Sequence, residues 1–135
     1  MADIPPGAHL AEERLAYLDR EGIHAQVLYP NVGGFGSGAF LKLKEPELML
    51  ECVRAYNDFL VEWASADPKR LLPVMASPFW DVDAWVKEIE RCAAMGHKAV
   101  LSCNQPQMWG EPALHDPHWD PVWAAAQDQI GRAHV

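Results

Sequence analysis

The chain has 135 residues, and acidic side chains outnumber basic ones 19 to 11, giving a net charge of -8 with neutral histidines. That acidity, with no basic patch to offset it, excludes a general binder of phosphate backbones. A half-hydrophobic composition with six Trp excludes a disordered chain, and no apolar run approaches the roughly 18 residues of a membrane span. From Met1 onward there is no basic start followed by an apolar stretch, so no secretory leader is expected. The three cysteines are scattered and odd in number. They fit a reducing compartment rather than a disulfide scaffold, and the expected location is cytoplasmic.

The lead-in, with two prolines and a glycine before His9, reads as loop. Ala11 to Glu21 reads as a helix with Leu15 and Leu18 on one face, stopped at Gly22. Ile23 to Tyr29 is a short strand ended by Pro30. Val32 to Phe40 holds four glycines and reads as a loop that could serve as a lid. Pro46 to Ala66 is the longest helix. Its apolar stripe runs through Leu48, Cys52, Ala55, Tyr56, Phe59, Leu60 and Trp63. Arg70 to Ser77 is a second strand, although Pro73 argues against a central position unless it lies at the strand's start. Asp81 to Met95 is a helix with Asp81 as N-cap, Trp85, Ile89 and Cys92 buried, and Gly96 as its stop. His97 to Cys103 is the third strand. After a proline-containing loop, Trp119 to Gln127 begins another helix, with Asp120 as cap and Pro121 at its first position. Strands alternating with helices, without tight hairpin signals, imply right-handed crossovers and parallel pairing.

Four ordered signatures carry a family resemblance: D-x-x-G-I at Asp19 to Ile23, R-A-Y-N-D at Arg54 to Asp58, A-D-P-x-R-L at Ala66 to Leu71, and D-P-x-x-D-P-x-W at Asp116 to Trp123. Together the segments that hold them resemble the amidohydrolase-related superfamily, in the branch of the aminocarboxymuconate-semialdehyde decarboxylase-like proteins. The resemblance implies α/β architecture: a partial TIM barrel whose βα units match roughly strands 2 to 4 of a (β/α)8 barrel. It also implies a parent enzyme with a catalytic divalent metal, usually zinc, that hydrolyses or non-oxidatively decarboxylates a small carboxylate, amide or lactone. The parent could be a homo-oligomer; nucleic-acid and membrane partners are not implied. The family's H-x-H pair is absent here, so no metal or catalytic residue is assigned, and the fragment itself is expected to bind no metal and to be inactive. Residues 1–129 are read as barrel segment. Residues 130–135, IGRAHV, match the translation of ATC GGA AGA GCA CAC GTC, which resembles a sequencing adapter read in frame. They are read as a non-native tail, so His134 is set aside as a ligand.

In such a barrel, chemistry sits on the loops after the strands' C-terminal ends. Tyr29 and Asn31 after the first strand, and Asn104 and Gln105 after the third, are therefore the substrate-pocket candidates. His115 and His118 have H-x-x-H spacing but no further ligands in view. The glycine loop lacks the Gly-Lys-Ser/Thr of a phosphate-binding loop. Cys52 and Cys92 read as buried thiols, and Cys103 has no identifiable base. Arg54, Asn57 and Asp58 read as holding neighbouring elements together, while His24 and His97 have no evident partner. The competing reading is a complete flavodoxin-like α/β module that binds a ligand or partner without catalysis. It requires five strands with helices on both faces. A stand-alone subdomain that completes a barrel with a partner chain is a third.

Overall fold

A computed structural model describes residues 4–30 and 40–129. Asn31, the glycine loop up to Ala39 and the tail from Ile130 lie outside the described residues. The four helices are α1 (Ala11–Arg20), α2 (Pro46–Ala64), α3 (Val82–Met95) and α4 (Asp120–Gln129). Three strands alternate with them: β1 (Gln26–Leu28), β2 (Leu71–Met75) and β3 (Ala99–Val100). All pairing is parallel, in the order β1-β2-β3. Each strand is shorter than its sequence pattern suggested, because the ladder stops while the apolar run continues into the flanking turns.

Sequential order separates the two architectures considered above. A flavodoxin-like sheet, of order 2-1-3-4-5, places its first strand between the second and third; here β2 lies between β1 and β3. Alternation gives the same answer. Leu28, Leu71, Met75 and Val100 share one face, by register and by the two-residue period of a strand. Leu71 and Leu28 pack with Leu18, Ala11 and Ala64 of α1 and α2. Met75 and Val100 pack with Trp85, Ile89 and Cys92 of α3 and with Val122 and Ala126 of α4. The opposite face carries Val27 and Leu72, which are register partners. Val27 is 47% exposed. The fold is an α/β arc of three parallel strands, open at both edges, with its helix-bearing clusters on one face.

Pro73 sits in the middle of the central strand, contrary to expectation. The reason lies in the stagger of β3. The Pro73 carbonyl points to the β3 side and accepts from Lys98 N at 2.9 Å. A residue's N–H and C=O point to the same strand edge, so the missing donor faces chain that precedes β3, and no ladder bond is lost. The α2 stripe is also rotated from its predicted phase. Met49, Val53, Asn57, Leu60 and Ala64 are buried, while Leu48 and Phe59 are exposed. Asn57 on the buried line hid the true phase, because a polar residue breaks an apolar pattern. Finally, Asp116, not Asp120, provides the cap at the chain's last turn. Its carboxylate accepts from His118 N at 2.9 Å, and the 3-10 turn Pro117–Trp119 runs directly into α4.

The N-terminal end of the sheet is fixed by the A-D-P-x-R-L segment. Asp67 closes the turn after α2 by accepting from Lys69 N and Leu71 N. Arg70 then donates to the carbonyls of His24 at 2.9 Å and Ile23 at 3.1 Å and pairs with Asp19 at 2.7 Å, tying α1 and the approach to β1 onto β2. On the other side of the molecule Trp85 is fully buried. The rings of Trp119 and Trp123 meet it edge-on at 5.8 and 6.0 Å, joining α3 to α4. Trp85→Ala is expected to cost about 3–5 kcal/mol, a large part of a small domain's stability, measured as a drop in the urea unfolding midpoint.

Candidate functional site

The C-terminal ends of the strands lie side by side, and the residues that leave them define the candidate site. After β1 come Tyr29, 54% exposed, and buried Pro30. After β2 comes the buried run Ala76 to Phe79. After β3 come Leu101, Ser102, buried Cys103, and then Asn104 and Gln105, both exposed. Tyr29 follows β1, and Asn104 and Gln105 follow β3, two strands whose axes lie two strand spacings or roughly 10 Å apart. Tyr29 lines an open groove of about 240 Å³ with Gln26, Tyr56, Phe59 and Trp63, and neither Asn104 nor Gln105 belongs to that lining. The structure therefore places these three candidates at one end of the sheet, with Asn104 and Gln105 outside the groove that Tyr29 lines. Asn31 lies outside the described residues.

What holds this end in place is a buried polar cluster between α2, β2 and α3. The Asn57 side chain grips the backbone just past β2: Oδ1 accepts from Ala76 N at 2.8 Å, and Nδ2 donates to Ala76 O at 3.0 Å. Nδ2 also donates to Glu88 Oε1 at 2.9 Å. Glu88 is 1% exposed, so its charge needs compensation. Arg91 supplies it through Nε and Nη2, at 2.9 and 2.7 Å, and pairs in turn with Asp58. Arg54 approaches Glu88 from α2 at 3.7 Å. Burial works against the ionised form of Glu88. The hydrogen bonds from Arg91 and Asn57 and the Arg91 charge outweigh it and hold the carboxyl below its ordinary range. Beyond Ala76, the Ser77 hydroxyl donates to the Leu101 carbonyl, fastening the exit of β2 to that of β3.

The R-A-Y-N-D segment thus joins elements, as its sequence suggested. Glu88, Arg91 and Ser77 were missed, and His97 acquires a partner, the Asn57 carbonyl. A signal for Glu88 existed. It falls on the buried phase of α3 with Trp85, Ile89 and Cys92, and an Arg stands three residues on.

The remaining candidates are quieter. Cys92 is buried beside Glu88, and burial, reinforced by that carboxylate, pushes its thiol far above the ordinary range. Cys52 is only half-buried, and Cys103 is buried. His115 and His118 are exposed, and the His118 ring rests edge-on against Trp119 at 4.7 Å. Among the described residues no group of three or more His, Cys, Asp or Glu is placed to hold a metal ion. The described residues by themselves therefore supply no ligand set for a catalytic metal. No helix among them is long and apolar enough to cross a membrane.

The profile of the family described as Amidohydrolase matches residues 3–129, nearly the whole chain. The chain belongs to the amidohydrolase family. Among solved structures, this amidohydrolase chain is similar to 2,6-dihydroxybenzoate decarboxylase from Rhizobium, at 26% identity and a TM-score of 0.69, over 94% of this chain and 37% of that one. The same enzyme complexed with 2,6-dihydroxybenzoate matches equally. A dihydroxybenzoic acid decarboxylase from Polaromonas sp. JS666, with bound manganese and the inhibitor 2-nitroresorcinol, shares the fold at 22% identity and a TM-score of 0.65, over 94% of this chain and 36% of that one. The chain thus spans less than two fifths of the length of these relatives. A search of curated proteins finds no match.

Two outcomes follow from the cluster. Asn57→Ala leaves both Ala76 backbone groups unmet, at about 1–3 kcal/mol for each buried group, and takes one of its hydrogen bonds from Glu88. Equilibrium unfolding should show the loss as a lower urea midpoint, and Asn57→Asp should not rescue it, since it sets an acceptor oxygen against the Ala76 carbonyl and Glu88. Glu88 has a lowered pKa in the folded chain, so its contribution is present above the unfolded carboxyl value and is lost as pH falls through the folded one. Glu88→Gln is expected to flatten the acid limb of stability below about pH 4.3, read from thermal melts across that range.

Proposed function

We propose that this chain is the portion of a (β/α)8 amidohydrolase barrel that holds roughly its second to fourth strands, and that the whole protein is a non-oxidative decarboxylase of a small aromatic carboxylic acid. The carrying observation is the likeness to 2,6-dihydroxybenzoate decarboxylase across 94% of this chain. The sequential parallel order and the helices gathered on one face support the barrel.

In that reading the strand-end residues bind and orient substrate. Asn104 and Gln105 offer amide donors to a carboxylate or ring hydroxyl, and Tyr29 offers an aromatic wall with a polar tip. Asn57 and Ser77 keep the strand exits in register beneath them. Decarboxylation breaks the bond from ring carbon to carboxyl carbon, releases CO2, and leaves on the ring carbon an electron pair that takes up a proton. A divalent metal in the whole protein would take its ligands from outside the described residues, and no step of this reading is routed through one. The 135-residue chain alone is inactive in this reading.

The test is a longer protein that adds the remaining strands, assayed with dihydroxybenzoates by CO2 release and with aryl amides and lactones by hydrolysis. CO2 release by the longer protein and none by the 135-residue chain is the expected result. Hydrolysis without CO2 release would overturn the decarboxylase reading. In the active longer protein, Asn104→Ala or Gln105→Ala is expected to raise KM about tenfold with little change in kcat, the effect of one lost hydrogen bond to a charged group.

A further inference from the structure

His97 follows Gly96, which ends α3, and is 3% exposed. Its Nε2 lies 3.0 Å from the Asn57 carbonyl. A carbonyl only accepts, so Nε2 carries the proton and the neutral ring keeps its lone pair on Nδ1. That Nδ1 is buried and meets no hydrogen-bond partner. The charged and titratable groups around the ring are Asp58 on α2 and Glu88, Arg91 and Cys92 on α3, with Arg54 of α2 reaching Glu88. β2 contributes none. Burial is the strongest influence and lowers the imidazole pKa. The Asn57 carbonyl, Glu88 and Asp58 work the other way, Arg91 works with burial, and the balance holds the ring below its ordinary range.

The geometry points to His97 as a proton-operated latch on the exit of β2: adding a proton at the bare Nδ1 loosens the hold of Asn57 on Ala76. The link is short. The Asn57 carbonyl receives the His97 proton, and the side chain of the same residue holds both backbone groups of Ala76. A protonated Nδ1 is a buried donor with no acceptor, so the ring must leave its pocket or draw in water. Departure of the ring breaks the bond that ties it to the α2 backbone at Asn57. Ala76, which Asn57 holds at the exit of β2, is then released.

The sign follows from linkage. The unfolded ring titrates at about 6.5 and the folded ring lower. Between the two values the unfolded chain binds the extra proton, so stability falls as pH falls through that window and is unaffected above it.

The test compares wild type with His97→Gln, whose amide keeps a donor near Nε2 and does not titrate. The other histidines are present in both chains and cancel. Below pH 6.5 the folding constant of wild type should fall relative to the variant by up to about tenfold per pH unit. Exchange protection of the Ala76 amide should fall with it. Equal pH slopes in the two chains would overturn the latch. So would a His97 ring titrating at its ordinary value in the folded chain, or Ala76 protection that stays constant while the ring protonates. If the Gln variant does not fold, the wild-type NMR titration decides: the His97 ring and the Ala76 amide must share one lowered midpoint.

Discussion

The carboxamide of Asn57 bonds to both backbone groups of Ala76, and much of the structure is arranged around that pair of bonds. β2 ends its ladder at Met75, but the chain stays buried through Phe79. The first backbone donor and acceptor past the strand therefore need partners where neither water nor a neighbouring strand supplies them. A carboxamide presents one acceptor and one donor group at the spacing of a peptide unit, so Asn57 stands in for a strand. The solution has consequences. The second amide proton requires an acceptor, which is Glu88; a buried carboxylate requires cations, which are Arg91 and Arg54; and Arg91 reaches outward to Asp58. One buried backbone unit thus recruits a cluster spanning two helices.

The two ends of the sheet are secured by different chemistry. At the N-terminal end Arg70 uses one guanidinium to hold two carbonyls and a carboxylate, all of them near solvent. At the C-terminal end the bonds are buried and made largely through neutral amide and hydroxyl groups. Exposed charge pairs tolerate motion and contribute modestly, whereas buried amide contacts fix geometry. The firmer device lies at the end where a barrel of this family would carry its chemistry.

Much of this arrangement was legible in the sequence. Helix existence, the Asp81 cap and the Gly96 stop followed from local chemistry. The parallel order followed from the βα alternation, and the likeness to amidohydrolases from four spaced signatures. Strand ends were not legible, because apolar runs such as His97 to Cys103 continue beyond the ladder to fill core. The α2 phase was hidden by Asn57 itself, a polar residue on the buried line. Pro73 misled for a related reason: its effect depends on the stagger of β3, which is a property of two strands rather than one. Tyr29, Asn104 and Gln105 follow the C-terminal ends of their strands, where the strand readings put them. Their separation across the sheet is set by β2 standing between them, and local sequence does not encode that distance.

The uncovered face of the sheet completes the physical account. Parallel sheets are covered on both faces, yet of the residues opposite the helix-bearing clusters only Val74 is buried, while Leu72 is half-buried and Val27 is 47% exposed. A second helical layer on that face would require the strand order to reverse, and it does not. The remaining way to cover an apolar face while adding strands in one direction is to curve the sheet until it meets itself, so that the uncovered side chains fill a closed interior. Val27, Leu72 and the edges of β1 and β3 that have no partner among the described residues are the surfaces that the proposed barrel would bury together.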